Sequence, residues 1–396
     1  MEKEIVNLQT EIKPKEKVKS GALLLSVCSF ISICFFLFSV SYSQTSAEFR
    51  TADGIKFRVE KVLGDLKIPW SIVFGPEGEM YFTERPGYLR VLQKGARESK
   101  LIAEIDEVVH IGEGGLMGLA LHPDFSRNGQ VYLSHTFRFK GGFANKVVRY
   151  VLRNGKLSDR MVIVPYLPGA AVHDGCRIRF GPDGKLYVTT GDAAARKIAQ
   201  DPSSLGGKIL RINEDGSIPS DNPGSSEVFA LGMRNPQGID WHPPSGLLFE
   251  TEHGPSGFDG PGGGDEVNII ERGKNYGWPV IHHKQEGPGM VSPLLEYTPA
   301  VAPASGMFYT GDAFPQFRNN FFFGCLRGTR IQRVVLKEGN PRVVDREESI
   351  LLDQFGRIRE ITQGPDGFIY FSTSNTSRGR PTSDDDRILR IVPGID

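Results

Sequence analysis

The residues richest in chemistry are arginines and a histidine placed beside glycine-rich turns. Arg234 and Asn235 lie in LGMRNPQGID, Arg327 in CLRG, and Arg357 and Arg359 in GRIREITQGPDG. His173 lies in VHDGCRIRFGPDG, Asp192 in TTGDAA and Glu113 in IGEGGLMGLALHP. Lys+Arg and Asp+Glu both number 47, so the formal net charge is zero. Guanidinium groups gathered in such a chain repel one another unless an anionic partner holds them. A lone histidine before a strand ordinarily serves as a hydrogen-bonded turn residue, so His173 gains meaning only if the fold brings it to the arginines. The stretch GPSGFDGPGGGDEVNIIERGKNYGWP adds Asp265 and Glu266 beside backbone-rich turns. Carboxylate and carbonyl oxygens are hard ligands suited to calcium, although the EF-hand spacing is absent. Zinc-ligand spacings, a phosphate loop and a GxSxG nucleophile turn are absent too.

Something must bring these segments together, and a repeat does so. An apolar strand leads into a Gly/Pro/Asp turn and then an alternating strand with an aromatic: GPEGEMYFTE from Gly75, GPDGKLYVTTGD from Gly181 and GPDGFIYFSTS from Gly364. Looser copies begin at His122, His242 and Phe317. A further strand follows each hairpin, centred on Arg90, Arg149, Arg211, Asn268, Arg333 and Arg390, with spacings of 59, 62, 57, 65 and 57 residues. Short strands of period two repeated about every 60 residues specify a six-bladed β-propeller of four-stranded antiparallel blades. The segment FRVEKV (Phe57–Val62) precedes the first inner strand and is expected to complete the last blade, hiding the sheet edges. In this topology, segments entering an inner strand and segments joining second to third strands share one end of the channel. Glu113, His173, Arg234, Asn235, Arg357 and Arg359 fall in the first class, and Asp192 and Arg327 in the second. The strand arginines Arg90, Arg149, Arg211, Arg333 and Arg390 are read as a structural device that bridges carboxylates or stacks on aromatics.

With 47 Gly and 26 Pro spread along 396 residues, long helices are excluded. Zero net charge argues against a nucleic-acid partner. Residues 1–47 read as a signal peptide or single membrane anchor: Lys13, Lys15, Lys17 and Lys19 precede an apolar run from Gly21 to Ser43. Residues 48–396 then form the propeller outside the cytoplasm, in the periplasm or the extracellular space. Cys176 and Cys325 in that part are expected to be unpaired and buried.

The segments GLMGLALHPDF, HDGCRIRFGPDGKLYVTTGD, GGKILRINEDGSIPSDNP, LGMRNPQGI, EHGP, GDEVN, KNYGWP and GRIRE, in this order, resemble the soluble quinoprotein glucose dehydrogenases and the related aldose sugar dehydrogenases that use pyrroloquinoline quinone. The resemblance spans about residues 55–393. It implies that His173 is the base for the sugar C1 hydroxyl, oriented by Asp192, and that Arg234 polarises the quinone oxygen. It implies that Asn235, Arg327, Arg357 and Arg359 hold the quinone, whose three carboxylates match the arginine cluster. Gly254 and Pro255 would offer carbonyls to a calcium ion, Glu266 and the Tyr276 carbonyl would form a second calcium site, and Glu113 would face the sugar. Arg327 stands where those enzymes have lysine, and Glu113 where an amide is typical. The loop around 299–311 looks short, so broad aldose specificity and a monomer are expected, with an external electron acceptor of unstated kind. A non-catalytic binding propeller and a calcium-dependent lactonase are the alternatives.

Overall fold

Each Gly-Pro-Asp-Gly segment closes a hairpin in the way its composition demands. The closing glycine of the turn, at Gly78, Gly184 and Gly367, has φ between +71° and +86°, where a side chain would be strained. The strand aromatic then donates back to the acid of its own turn in two of the three, Tyr187 to Asp183 at 3.1 Å and Tyr370 to Asp366 at 2.8 Å, while Tyr81 donates to Glu79, the residue just past its turn, at 3.1 Å. The structure, a computed structural model, describes residues 47–394. The predicted leader, together with its apolar run, lies outside the described residues. Among the described residues no helix is long and apolar enough to cross a membrane.

Six antiparallel sheets form, as the period requires. Their innermost strands are Pro69–Phe74, Leu116–Leu121, Gly175–Phe180, Pro236–Trp241, Pro303–Phe308 and Ile358–Gln363. Each touches the next, and the sixth returns to the first, which makes a closed ring around a channel. Strand Lys56–Leu63 pairs with Ile388–Pro393 and closes the last blade as expected. A short strand, Glu48–Arg50, adds a fifth member to that blade, which the repeat did not foreshadow. Apolar clusters lie between neighbouring blades; one joins Phe57, Phe322, Phe371 and Leu389 across blades five and six.

Every inner strand breaks register with its neighbour within its first few residues. Such bulges turn the strand and re-aim its side chains, and here they all sit at one end of the channel. The strand arginines are largely structural, as read from their spacing: Arg211 pairs with Asp183 and Asp221, Arg333 with Asp53 and Glu348, and Arg390 with Glu60. Arg149 departs from this, lying against the Met161 sulfur at 3.1 Å. Cys176 and Cys325 are buried free thiols.

Candidate active site

The bulged ends of the inner strands surround a cavity of about 520 Å³. Glu113, His173, Arg234, Gly254, Pro255, Arg327, Arg357 and Arg359 all line it, although they are spread over almost 250 residues of chain. Asp192 and Asn235 are fully buried and do not line it themselves. Glu266 and Tyr276 line a separate, smaller space beside it, together with Glu252, Gly254 and Pro255.

His173 is 4% exposed and its backbone is left-handed, with φ of +60°. A non-glycine residue there stores strain, which the surroundings must hold in place. They do so through a close backbone approach. A Cβ on Gly191 would fall 1.8 Å from the His173 carbonyl oxygen, so only glycine lets Asp192 follow directly. The Asp192 amide donates to the Arg234 carbonyl at 2.8 Å, and the Ala193 amide to the His173 carbonyl at 3.2 Å. Nδ1 of His173 lies 2.7 Å from Asp192 Oδ1. A carboxylate only accepts, so Nδ1 carries the proton and Nε2 is left with a free lone pair. Asp192 is fixed in turn by Trp278, whose Nε1 donates to Oδ2 at 2.8 Å, and by the Ala194 amide at 2.9 Å.

Arg234, Arg357 and Arg359 are each anchored by a partner of their own. Arg359, 5% exposed, donates to Gln237 Oε1 at 2.9 Å. Arg357 donates to the Leu326 carbonyl at 3.3 Å. Nε of Arg359, Nε of Arg357 and Nδ2 of Asn235 are buried with no partner among the described residues. Burial, with the guanidinium groups of Arg85 and Arg357 adding to it, pulls Arg359 down to about 9. Unpartnered buried donors on crowded cations are what an anionic ligand would satisfy. Arg234 differs, because Asp259 pairs with its Nε at 2.7 Å and Ser256 accepts from Nη2 at 2.9 Å. Beneath the cavity Arg177 pairs with Glu360 at 2.6 Å and stacks 4.1 Å over Trp70, so the channel floor is polar.

The donor set for a cation is of the carbonyl kind. Among the described residues no three or more His, Cys, Asp or Glu side chains converge as a metal site. A Cβ on Gly254 would come 2.1 Å from the Gly264 oxygen and 2.4 Å from that of Gly263. This is a crowd of carbonyls that only glycine admits. Beside it, Glu250, Glu252 and Glu266 surround the Asn268 amide, and Glu250 Oε1 has no partner among the described residues. Burial, with repulsion from Glu252, pushes Glu250 and Glu266 well above the usual carboxylate range. The crowd of carbonyl oxygens around Gly254 fits a hard cation.

Four residues at the site were not singled out from sequence. Arg85 follows the second strand of its blade, as Asp192 and Arg327 do, so the same topological rule would have found it. Asp174 adjoins His173. Asp259 and Trp278 carry no such signal. Burial lifts the Asp174 carboxyl to about 6. Its folded-state value lies above the unfolded one, so the folded state keeps a proton that the unfolded chain releases. The stabilisation is complete below about pH 4 and is lost as pH rises to about 6, by about 3 kcal/mol. Over that range the urea midpoint of the wild type is expected to fall relative to that of Asp174→Asn; parallel profiles would contradict the assignment.

The fold and cavity together define a six-bladed propeller with a cationic mouth and a carboxylate-oriented imidazole at its edge. The chain belongs to the glucose/sorbosone dehydrogenase family, whose profile matches residues 66–381. A putative oxidoreductase (glucose dehydrogenase) from Thermus thermophilus is 43% identical, with a TM-score of 0.78 over 85% of this chain and 100% of that one. Aldose sugar dehydrogenase YliI of Escherichia coli is 33% identical over 81% of this chain and 90% of its own length. The PQQ-bound form of the aldose sugar dehydrogenase from Streptomyces coelicolor is 30% identical, with a TM-score of 0.76 over 85% of this chain and 98% of that one.

Proposed function

We propose that this protein oxidises aldose sugars at C1 to the lactone, using pyrroloquinoline quinone and calcium. The observation that carries this reading is the set of unpartnered, buried guanidinium nitrogens on Arg357 and Arg359 in the cavity that His173 also lines. The quinone, when bound, supplies the acceptor for the hydride leaving C1. Arg327, Arg357, Arg359 and Asn235 would hold its carboxylates, and Arg234 would stabilise the charge that grows on its reacting oxygen. Asp259 must then share Arg234 or release it. The Gly254 and Pro255 carbonyls would hold calcium, with a second ion at Glu266 and the Tyr276 carbonyl.

His173 takes the C1 hydroxyl proton on Nε2, because its Nδ1 proton is committed to Asp192. Asp192 keeps that tautomer and stabilises the imidazolium that forms. Glu113, whose Oε2 accepts from the His173 amide at 3.1 Å, faces the sugar. The protein is exported to the periplasm or beyond and works as a monomer, passing electrons to an external acceptor.

The test is dye reduction by purified protein across a panel of aldoses, with and without added quinone and calcium. Turnover that requires both supports the reading. Lactone hydrolysis without quinone, or no turnover with any aldose, would sink it. Asp192→Asn is expected to lower kcat by roughly 10³–10⁴-fold. Oδ1 of Asp192 serves both His173 Nδ1 and the Ala194 amide, and Oδ2 serves Trp278 Nε1, so a single amide oxygen cannot satisfy all three. With its NH2 toward His173 the variant inverts the tautomer, with its oxygen there it loses the Trp278 bond, and in either orientation the imidazolium loses its negative partner. An unchanged kcat would show that Asp192 does not set the base.

A further inference from the structure

The cavity wall holds a second group of unsatisfied polar atoms, contributed by the first and third blades. Arg85 is 3% exposed and Asp174 is 2% exposed, and both line the cavity. Arg85 spends Nη2 on the Gly112 carbonyl at 2.6 Å and lies 2.9 Å from His110 Nε2, while its Nε and Nη1 have no partner among the described residues. Asp174 accepts on Oδ1 from Asn145 Nδ2 at 2.9 Å and from the Ala170 amide at 3.1 Å, which leaves Oδ2 with none. The two groups flank one glycine pair. A Cβ on Gly114 would lie 3.3 Å from Asp174 Oδ2, and one on Gly115 would lie 3.1 Å from Arg85 Cγ. Glu113 directly precedes that pair.

We infer that Arg85 and Asp174, with Glu113 between them, form the subsite that grips aldose hydroxyls remote from the reacting carbon. Each sugar hydroxyl both donates and accepts, so neighbouring hydroxyls match a guanidinium edge set beside a carboxylate oxygen. A polycarboxylate would satisfy Arg85 but would meet Asp174 and Glu113 as like charges. The corner therefore suits a neutral polyol and leaves the anionic ligand to Arg327, Arg357 and Arg359. A buried donor or acceptor left unmade costs about 1–3 kcal/mol, so an aldose lacking the matching hydroxyl binds more weakly. The inference rests on reading the cavity as an aldose dehydrogenase site.

The variants Asp174→Asn and Arg85→Gln test it. D-glucose and D-xylose binding is measured by saturation-transfer NMR on protein without quinone. KM is measured on loaded enzyme, and quinone affinity by absorbance titration. Both variants are expected to weaken sugar binding about tenfold or more while quinone affinity stays within about twofold. Undetectable sugar binding by the wild type, unchanged sugar affinity in the variants, or a loss of quinone affinity in its place would overturn the assignment. Should Arg85→Gln not fold, as judged by circular dichroism, the isosteric Asp174→Asn decides alone. Should the protein bind sugar through these residues yet bind no quinone, the subsite stands and the proposed reaction falls.

Discussion

His173→Gln is expected to lower kcat by roughly 10²–10⁴-fold while the quinone still binds. Glutamine keeps a neutral polar group of similar reach but offers no basic nitrogen at pH 7. The cavity arginines that would hold the quinone do not depend on the imidazole, because Arg359 is fixed by Gln237 and Arg357 by the Leu326 carbonyl. The signature is therefore a split: the quinone affinity and bound spectrum of the wild type, with turnover almost gone. The strained φ at position 173 is retained, and the Gly191 contact involves only the backbone, so folding should be little affected. Full activity would remove His173 from the base role. Parallel loss of quinone binding and turnover would place it in the binding of the cofactor.

The second large effect concerns Arg359. Arg359→Gln should weaken quinone binding by about 2–5 kcal/mol, a factor of roughly 30 to 4,000. The same change should raise the unfolding midpoint of protein without quinone. Burial and the neighbouring guanidinium groups already pull Arg359 down to about 9, so in the absence of an anion this cation is a liability to the fold. Binding sites often keep such groups at the expense of stability. Both shifts must appear together. A variant that binds quinone normally, or one that is destabilised without it, would show that Arg359 serves the structure.

Much of this architecture is legible in the sequence, for a simple reason. The Pro-Asp-Gly turns and the strands around Arg90, Arg211 and Arg390 repeat at a spacing that only a blade explains. Strand polarity then tells which turns share an end of the channel, and that alone places His173, Arg327 and Arg359 on one cavity. What stayed hidden has physical causes too. Pairing of Arg234 with Asp259 depends on how a glycine-rich loop folds back, and such a loop has no periodicity to read. The Trp278 bond to Asp192 joins residues 86 apart in sequence, and nothing local distinguishes that indole from one in the core. The bulges that re-aim the inner strands arise from packing around the ring. The fifth strand of the last blade, Glu48–Arg50, is three residues long, too short for alternation to show. Arg85 is a different case: its position after a second strand marks it by the same polarity rule that places Asp192 and Arg327.

The most direct measurement titrates pyrroloquinoline quinone into the purified protein with calcium present, follows absorbance, and then adds D-glucose. The account predicts saturation at one quinone per chain, loss of that binding when calcium is chelated, and bleaching of the oxidised spectrum on adding the sugar. Absence of saturable binding, or a bound quinone whose spectrum no aldose alters, would contradict it.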